Sequence, residues 1–367
     1  MSATPQPSSP PVATAVPRVM SGRPADEPAG PREMPLQFTG SAAEYFRIWI
    51  VNVCLTLLTL GIFSAWAKVR KKRYFYSHTR LDGTPFQYLG QPIPILKGRI
   101  IAAMLLGLWY AGTHYVVQLL PVVGVLGFVL APWVLVRSAA FNARYSAYRN
   151  ITFEFKGAYW SAFKMLYGWA VITLVTFGLG FSWWQQRIKQ YMVTHFSYGG
   201  VRGEFGATGR QFLRTYFIAG LLMALGGAAV GMMIGAAAWS NRGQAAAQTH
   251  FLAFTVGIYA MYVAVFAYTR ARIGNLVWNH TQLGPLKFQS RLTARSLLAL
   301  YLTNLLAIAA SLGLLIPWAV IRTHKYRAAR FSVMAEGEIS DFAGRGATSV
   351  QAAGAEVGEL FDFDMSI

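Results

Sequence analysis

The chain has 367 residues, of which 54% are hydrophobic and only 13% charged, with a mean hydropathy of +0.37. Soluble domains carry roughly 25% charged residues, so a soluble globular protein is excluded. The net charge of +19 is then read as attraction to anionic headgroups rather than to nucleic acid, and the single Cys54 excludes a disulfide framework or a cysteine-based metal centre.

Residues 1–35 are rich in Pro, Ser and Ala and are expected to form a disordered tail, without the basic and apolar regions of a cleaved signal peptide. Residues 36–342 are read as a membrane domain with internal repeats. The runs 48–67, 100–136, 165–186, 215–241, 243–269 and 296–321 contain no Asp, Glu, Lys or Arg. Each reaches the roughly 20 residues that a helix needs to span a bilayer. The expected fold class is a predominantly α-helical polytopic membrane protein.

The first run ends at Trp66, within FSAWAKVRKKRYFYSHTRLDG (63–83), and this segment has a counterpart further on. A shift of 117 lays TLGIFSAWAKVRKKRYFYSHTRLDG (59–83) over TFGLGFSWWQQRIKQYMVTHFSYGG (176–200). It pairs Trp66 with Trp183, Arg70 with Arg187, Tyr74 with Tyr191 and His78 with His195. Weaker copies hold Trp133, Arg137 and Phe141, then Tyr268, Arg272 and His280, and finally Trp318, Arg322 and Tyr326. Trp, Arg and aromatic at i, i+4 and i+8 share one helical face. Asp82–Gly83, Asn150 and Gly199–Gly200 supply the positive φ of tight hairpin turns. Five helix-plus-β-hairpin modules are therefore expected, near 63–90, 130–157, 180–207, 265–290 and 315–342.

Lys and Arg set the expected topology. Segment 67–99 holds eight, and 137–164, 185–214, 269–296 and 319–345 hold five each, together 28 of 33. The positive-inside rule then places all five modules, and both tails, in the cytoplasm. Runs 100–136 and 215–269 cross out and back. The other three runs each join two basic segments, and Thr59–Gly61, Thr176–Gly178 and Leu312–Gly313 mark breaks within them. Four full spans plus three re-entrant or in-plane helices are expected, with seven full spans as the alternative.

Trp66, Trp133, Trp183 and Trp318 stand where apolar runs end and are read as membrane-interface anchors. Arg70, Arg137, Arg187, Arg272 and Arg322 follow one turn later, either as structural pairs or as contacts to lipid and other anions. His78, His195 and His280 lack acidic or cysteine companions at ligand spacing, so a polar contact within each hairpin is expected and no metal. All 14 carboxylates lie outside the apolar runs, which disfavours a proton-coupled pump. No cofactor or catalytic residue is predicted, since no nucleotide loop or nucleophile elbow is present. Gly226, Gly227 and Gly231 form a small-residue face for helix packing.

The stretch EYFRIWIVNVCLTLLTLGIFSAWAKVRKKRYFYSHTRLDGTPFQYLG (44–90) resembles the signature of the YjgN-like family of bacterial inner-membrane proteins. The resemblance extends over about 36–342 and implies a multi-pass protein of the bacterial inner membrane. It carries no catalytic residues, because the family has no defined biochemical role. Residues 343–367 form a Gly/Ala-rich, then acidic, tail expected to be disordered. The functional expectation is a non-enzymatic membrane protein whose basic cytoplasmic face contacts anionic lipid or a protein partner. The alternative is a transporter or channel for an anionic or lipid-like solute.

Overall fold

The computed structural model describes residues 32–239 and 244–335. Most of the first expected tail, all of the second, the end of the fifth module and the turn at Arg242 lie outside the described residues.

Four short hairpins carry most of the β structure. They are β2 (Thr79–Leu81) with β3 (Thr84–Tyr88), β4 (Ser146–Tyr148) with β5 (Ile151–Phe155), β6 (Phe196–Tyr198) with β7 (Val201–Phe205), and β8 (Thr281–Leu283) with β9 (Leu286–Ser290). Their turns use left-handed residues: Asp82 and Gly83, Arg149 and Asn150, and Gly199 and Gly200. Two more strands, β1 (Arg32–Phe38) and β10 (Phe331–Ala335), complete a closed antiparallel barrel in the order β1-β10-β9-β8-β7-β6-β5-β4-β3-β2. Closure is by Arg32↔Ala335 on one side and Phe38↔Thr79 on the other. The interior is packed with Met34, Leu81, Tyr148, Tyr198, Leu283 and Val333. The Tyr148 hydroxyl donates to the Leu81 carbonyl at 2.9 Å, and the Tyr198 hydroxyl to that of Tyr148 at 3.0 Å. The barrel is a filled core and not a pore.

This corrects the expected fold class. Five separate helix-plus-hairpin modules on a predominantly α-helical protein are replaced by one closed ten-stranded barrel. The fifth module supplies a single described strand, β10, and β1, partly assigned to the disordered tail, supplies its partner. Strands of three and five residues are too short to persist as isolated hairpins, and closure removes every exposed edge.

The helices rise from one end of the barrel as alternating arms. First arms leave a strand: α1 (Ala42–Leu58), α3 (Pro92–His114), α5 (Tyr159–Phe163) running through a π-helical turn into α6 (Trp169–Val175), α8 (Gly209–Trp239) and α10 (Ala294–Ala310). Second arms return to the next strand: α2 (Ser64–His78), α4 (Leu119–Arg144), α7 (Phe181–Thr194), α9 (Gln244–Asn279) and α11 (Ile316–Ala328). Each arm packs on its neighbours in chain order, and α1 meets α11 to close the ring. Within α8 and α9, Gly226 makes room for the Met261 side chain.

Four helices are long and apolar enough to cross a membrane: Pro92–His114, Leu119–Arg144, Gly209–Met233 and Phe254–Asn279. Only 6–17% of their apolar windows is buried within the protein, so their flanks face outward. The three remaining runs are interrupted. Because all ten strands hydrogen-bond in one barrel, the chain must return to the same side after each run. Seven full spans would put barrel strands on both sides and are excluded.

The breaks share one backbone. Leu60, Phe177 and Leu312 have φ near +50°, and Gly61, Gly178 and Gly313 have φ between +90° and +94°. The glycine N–H reaches back five residues, to the carbonyls of Thr56, Thr173 and Ile308 at 2.8–2.9 Å. A hydroxyl finishes the reversal: Thr59, Thr176 and Ser311 accept from the N–H four residues ahead, at 2.8–3.0 Å. Each turn thus caps the end of one helix and the start of the next.

Candidate membrane interface

Every second arm places its predicted arginine at the same height. Arg70, Arg137, Arg187, Arg272 and Arg322 each stand nine residues before the first residue of the following strand. At 1.5 Å per helical residue, that is roughly 13 Å above the barrel rim. The arginines share a level and do not converge on a common cavity.

Three of them turn outward to their own first arm. The Arg70 guanidinium lies 3.5 Å from Asn52 Oδ1, and that of Arg322 donates to Asn304 Oδ1 at 3.1 Å and Thr303 Oγ1 at 2.6 Å. Arg187 lies 5.5 Å from the centre of the Trp169 ring and donates to Gln190 at 2.9 Å. Asn52, Trp169 and Asn304 each precede their arginine by 18 residues, so one geometry recurs with two chemistries. Asn52 and Asn304 are buried, and an unpaired amide there would be costly. Arg137 and Arg272 instead lie over Trp133 and Tyr268 of their own helices, at 5.9 and 5.8 Å.

The tryptophans differ in setting. Trp318 is 37% exposed and lies beneath the Arg322 guanidinium, 5.1 Å from its ring centre. Trp183 covers Gly209 at the start of α8, and Trp66 packs beside Val69 and Ile95. The histidines share one local contact. His78, His195 and His280 set Nδ1 2.8–2.9 Å from the carbonyl four residues back, on Tyr74, Tyr191 and Leu276. No group of three or more potential metal ligands occurs among the described residues.

A second tie was not foreseen. The hydroxyls of Tyr74, Tyr191 and Tyr326 donate to the carbonyls of Ser41, Ala158 and Thr293, at 2.9, 3.1 and 3.4 Å. These carbonyls stand at the start of α1, α5 and α10, 33 residues upstream. Arginine and tyrosine therefore clip each short hairpin at two heights. The spacing was visible in the sequence, but only the folded contact gives it meaning. Gly157 is needed close by, since a Cβ there would come within 2.5 Å of the Tyr191 hydroxyl. Replacing Tyr191 with Phe is expected to cost about 1 kcal/mol, read as a lowered thermal midpoint, with Gly157→Ala lowering it as well.

Beyond the clips, the hairpin tips are bare. Leu60, Phe177 and Leu312 are 95%, 99% and 95% exposed, with Leu58, Leu174 and Leu179 beside them. Each tip glycine lies nine residues from its arginine, roughly 13 Å and close to half of the roughly 30 Å hydrocarbon core. Cations cluster at the opposite ends of the first arms: Arg47, Lys97, Arg99, Lys164, Arg214 and Arg295. Arg272 and Arg295 also line a cavity of about 450 Å³.

The chain matches the model of a family described as "Bacterial protein of unknown function (DUF898)" over residues 33–360. Curated relatives include the "Inner membrane protein YjgN" of Salmonella typhimurium strain LT2, 47% identical over 53 residues, 14% of this chain and 13% of the relative. The protein of the same name from Escherichia coli strain K12 is 32% identical over 136 residues, 34% of this chain and 33% of the relative. The matched stretches thus span a third or less of these relatives. No solved structure matches.

Proposed function

The chain belongs to the DUF898 family of bacterial proteins, and from that premise we propose that it binds, through a basic collar, the anionic headgroups of one inner-membrane leaflet. The role is one of binding rather than catalysis. The observation that carries it is the charge at the start of the first arms. Arg47, Lys97, Lys164 and Arg214 are exposed and stand at matching positions, five residues after the first residue of α1, α3, α5 and α8; α3, α5 and α8 have no acidic residue in their first turn, and α1 has Glu44. About one and a half turns in, these cations gain nothing from the helix macrodipole, which disfavours positive charge at the N-terminus and fades within the first turn. An outside anion explains them, and headgroup phosphates meet the protein at this level.

By the positive-inside rule this is the cytoplasmic leaflet, which places the barrel in the cytoplasm. The three short hairpins then enter that leaflet only, while four helices continue through the other. Passage of a solute along the barrel axis is disfavoured by the filled core.

The test is native mass spectrometry of lipid retained by the purified protein, from membranes containing both phosphatidylglycerol and phosphatidylcholine. Retention should favour phosphatidylglycerol. Lys97→Gln, Arg99→Gln and Arg214→Gln should each weaken that preference by about 1 kcal/mol, roughly fivefold. Equal retention of the two lipids by the unaltered protein would sink the reading.

A further inference from the structure

We propose that the protein is a membrane wedge, which favours and stabilises bilayers curved so that the leaflet next to the barrel is convex. The wedge rests on the reading that the three short hairpins enter one leaflet only, and it is independent of the basic collar.

The shape follows from how many helices stand at each depth. All ten arms leave or rejoin strands of one closed barrel, so all ten enter the leaflet beside it. Only four of the described helices are long and apolar enough to continue through the other leaflet. The short hairpins turn back at Gly61, Gly178 and Gly313, nine residues beyond their arginines. That is roughly 13 Å, close to half of the roughly 30 Å hydrocarbon core. A helix with its side chains is about 10 Å across, so each one displaces roughly 80 Å² of lipid surface. Ten helices in one leaflet against four in the other leave six unmatched footprints, about 500 Å².

The short arms stand upright among the lipids and do not lie flat on them. A helix in the plane of the interface keeps one apolar and one strongly polar face. Here apolar side chains are bare on both sides of each turn: Leu57 and Ile62, Leu174 and Leu179, Leu306 and Leu314, each more than half exposed. Below the turns, the tyrosine ties from α2, α7 and α11 hold the two arms of each hairpin side by side.

Their order around the ring decides how the surplus is relieved. The spanning hairpins α3–α4 and α8–α9 are separated on one side by the short hairpin of α5, α6 and α7. On the other side stand the short hairpins α10–α11 and α1–α2, which meet each other. Short hairpins thus lie on both sides of the spanning pairs, and tilting the protein cannot relieve all of them together. Bending the bilayer does so, because a convex leaflet has more area than its partner. Shallow one-sided insertion makes membrane binding sensitive to curvature for the same reason.

Sorting resolved by orientation tests the wedge. The full chain with Gln87→Cys in a Cys54→Ser background takes a dye on an exposed barrel position. It is reconstituted sparsely into giant vesicles of phosphatidylcholine alone, and a narrow membrane tube is pulled outward from each vesicle. An external quencher distinguishes molecules with the barrel outside from those with it inside. Barrel-outside molecules should be enriched in the tube about twofold or more over the parent vesicle, and barrel-inside molecules depleted. Enrichment should grow as the tube narrows and persist as protein density falls, which sets shape apart from crowding of barrels. Lys97→Gln with Arg214→Gln should sort like the unaltered protein, so the wedge and the collar fail separately. A spin label at Phe177→Cys in the Cys54→Ser background reads insertion independently of sorting. Tips in hydrocarbon with equal densities in tube and vesicle would overturn the wedge alone, and tips in water would overturn it together with the one-leaflet placement. Enrichment of barrel-inside molecules, or enrichment that vanishes at low density, would overturn it as well.

Discussion

Replacing Phe177 with Asp is expected to destabilise the protein in bilayers by about 3 kcal/mol. The sign is the informative part. Phe177 has φ +50°, a region that Asp tolerates better than a bulky aromatic residue. At a water-exposed turn the substitution would therefore be neutral or stabilising. It is destabilising only if this 99% exposed side chain sits in hydrocarbon, where a carboxylate loses its hydration. Thermal midpoints in nanodiscs, for Phe177→Asp and for Phe177→Asn as the uncharged control, check the direction. Depth is read separately with a spin label at Phe177→Cys in a Cys54→Ser background, since Cys54 is the only native cysteine. Accessibility to oxygen but not to a water-soluble relaxing agent is the expected result. Labelling by an impermeant reagent from the face opposite the barrel would mean that the tip crosses the bilayer.

The second large effect lies at the barrel seam. Met34 is 2% exposed, opposite Val333 at 1%, in the strand that closes the sheet. Met34→Ala is expected to cost about 2–5 kcal/mol, combining lost apolar transfer with an unfilled cavity. Denaturation in a neutral detergent should show the loss as one cooperative transition, because β1 pairs with both β10 and β2. Separate melting of a stable remainder would argue that the barrel is not a single unit. Gln37→Pro, on the same strand, should be worse, since the Gln37 N–H lies on the side of β2, opposite Arg80 and two residues before the Thr39 N–H that bonds the His78 carbonyl.

Much of the local chemistry was legible. Asp82–Gly83 and Gly199–Gly200 turn hairpins as their φ requirements predict, and Asn150 adopts the left-handed conformation that its position demands. The breaks at Gly61, Gly178 and Gly313 were placed correctly, although the part played by Ser311 in the third was overlooked because it is not a threonine. The histidines were expected to make polar contacts within the β-hairpins; their shared contact is instead to a carbonyl four residues back in the preceding helix. The candidate interface was less legible. Arg70, Arg187 and Arg322 turn toward residues 18 positions upstream, two of them Asn and one Trp. No pattern of residue type marks that partnership, since a hydrogen bond in one hairpin is replaced by a cation–π contact in another.

Composition and uncharged runs by themselves determined that this is a membrane protein, because burying so many apolar residues against water has no other solution. Charge counting argued that the basic segments share one side, yet it left seven spans open, since a loop's bias is statistical. Tertiary structure decided the matter through hydrogen bonding: strands of three and five residues hold only when paired on both edges, and a closed barrel cannot be divided by a bilayer. It also decided which arginines reach their own first arm and which stay over an aromatic ring of their own helix, because that direction depends on how each helix is rotated against its neighbours.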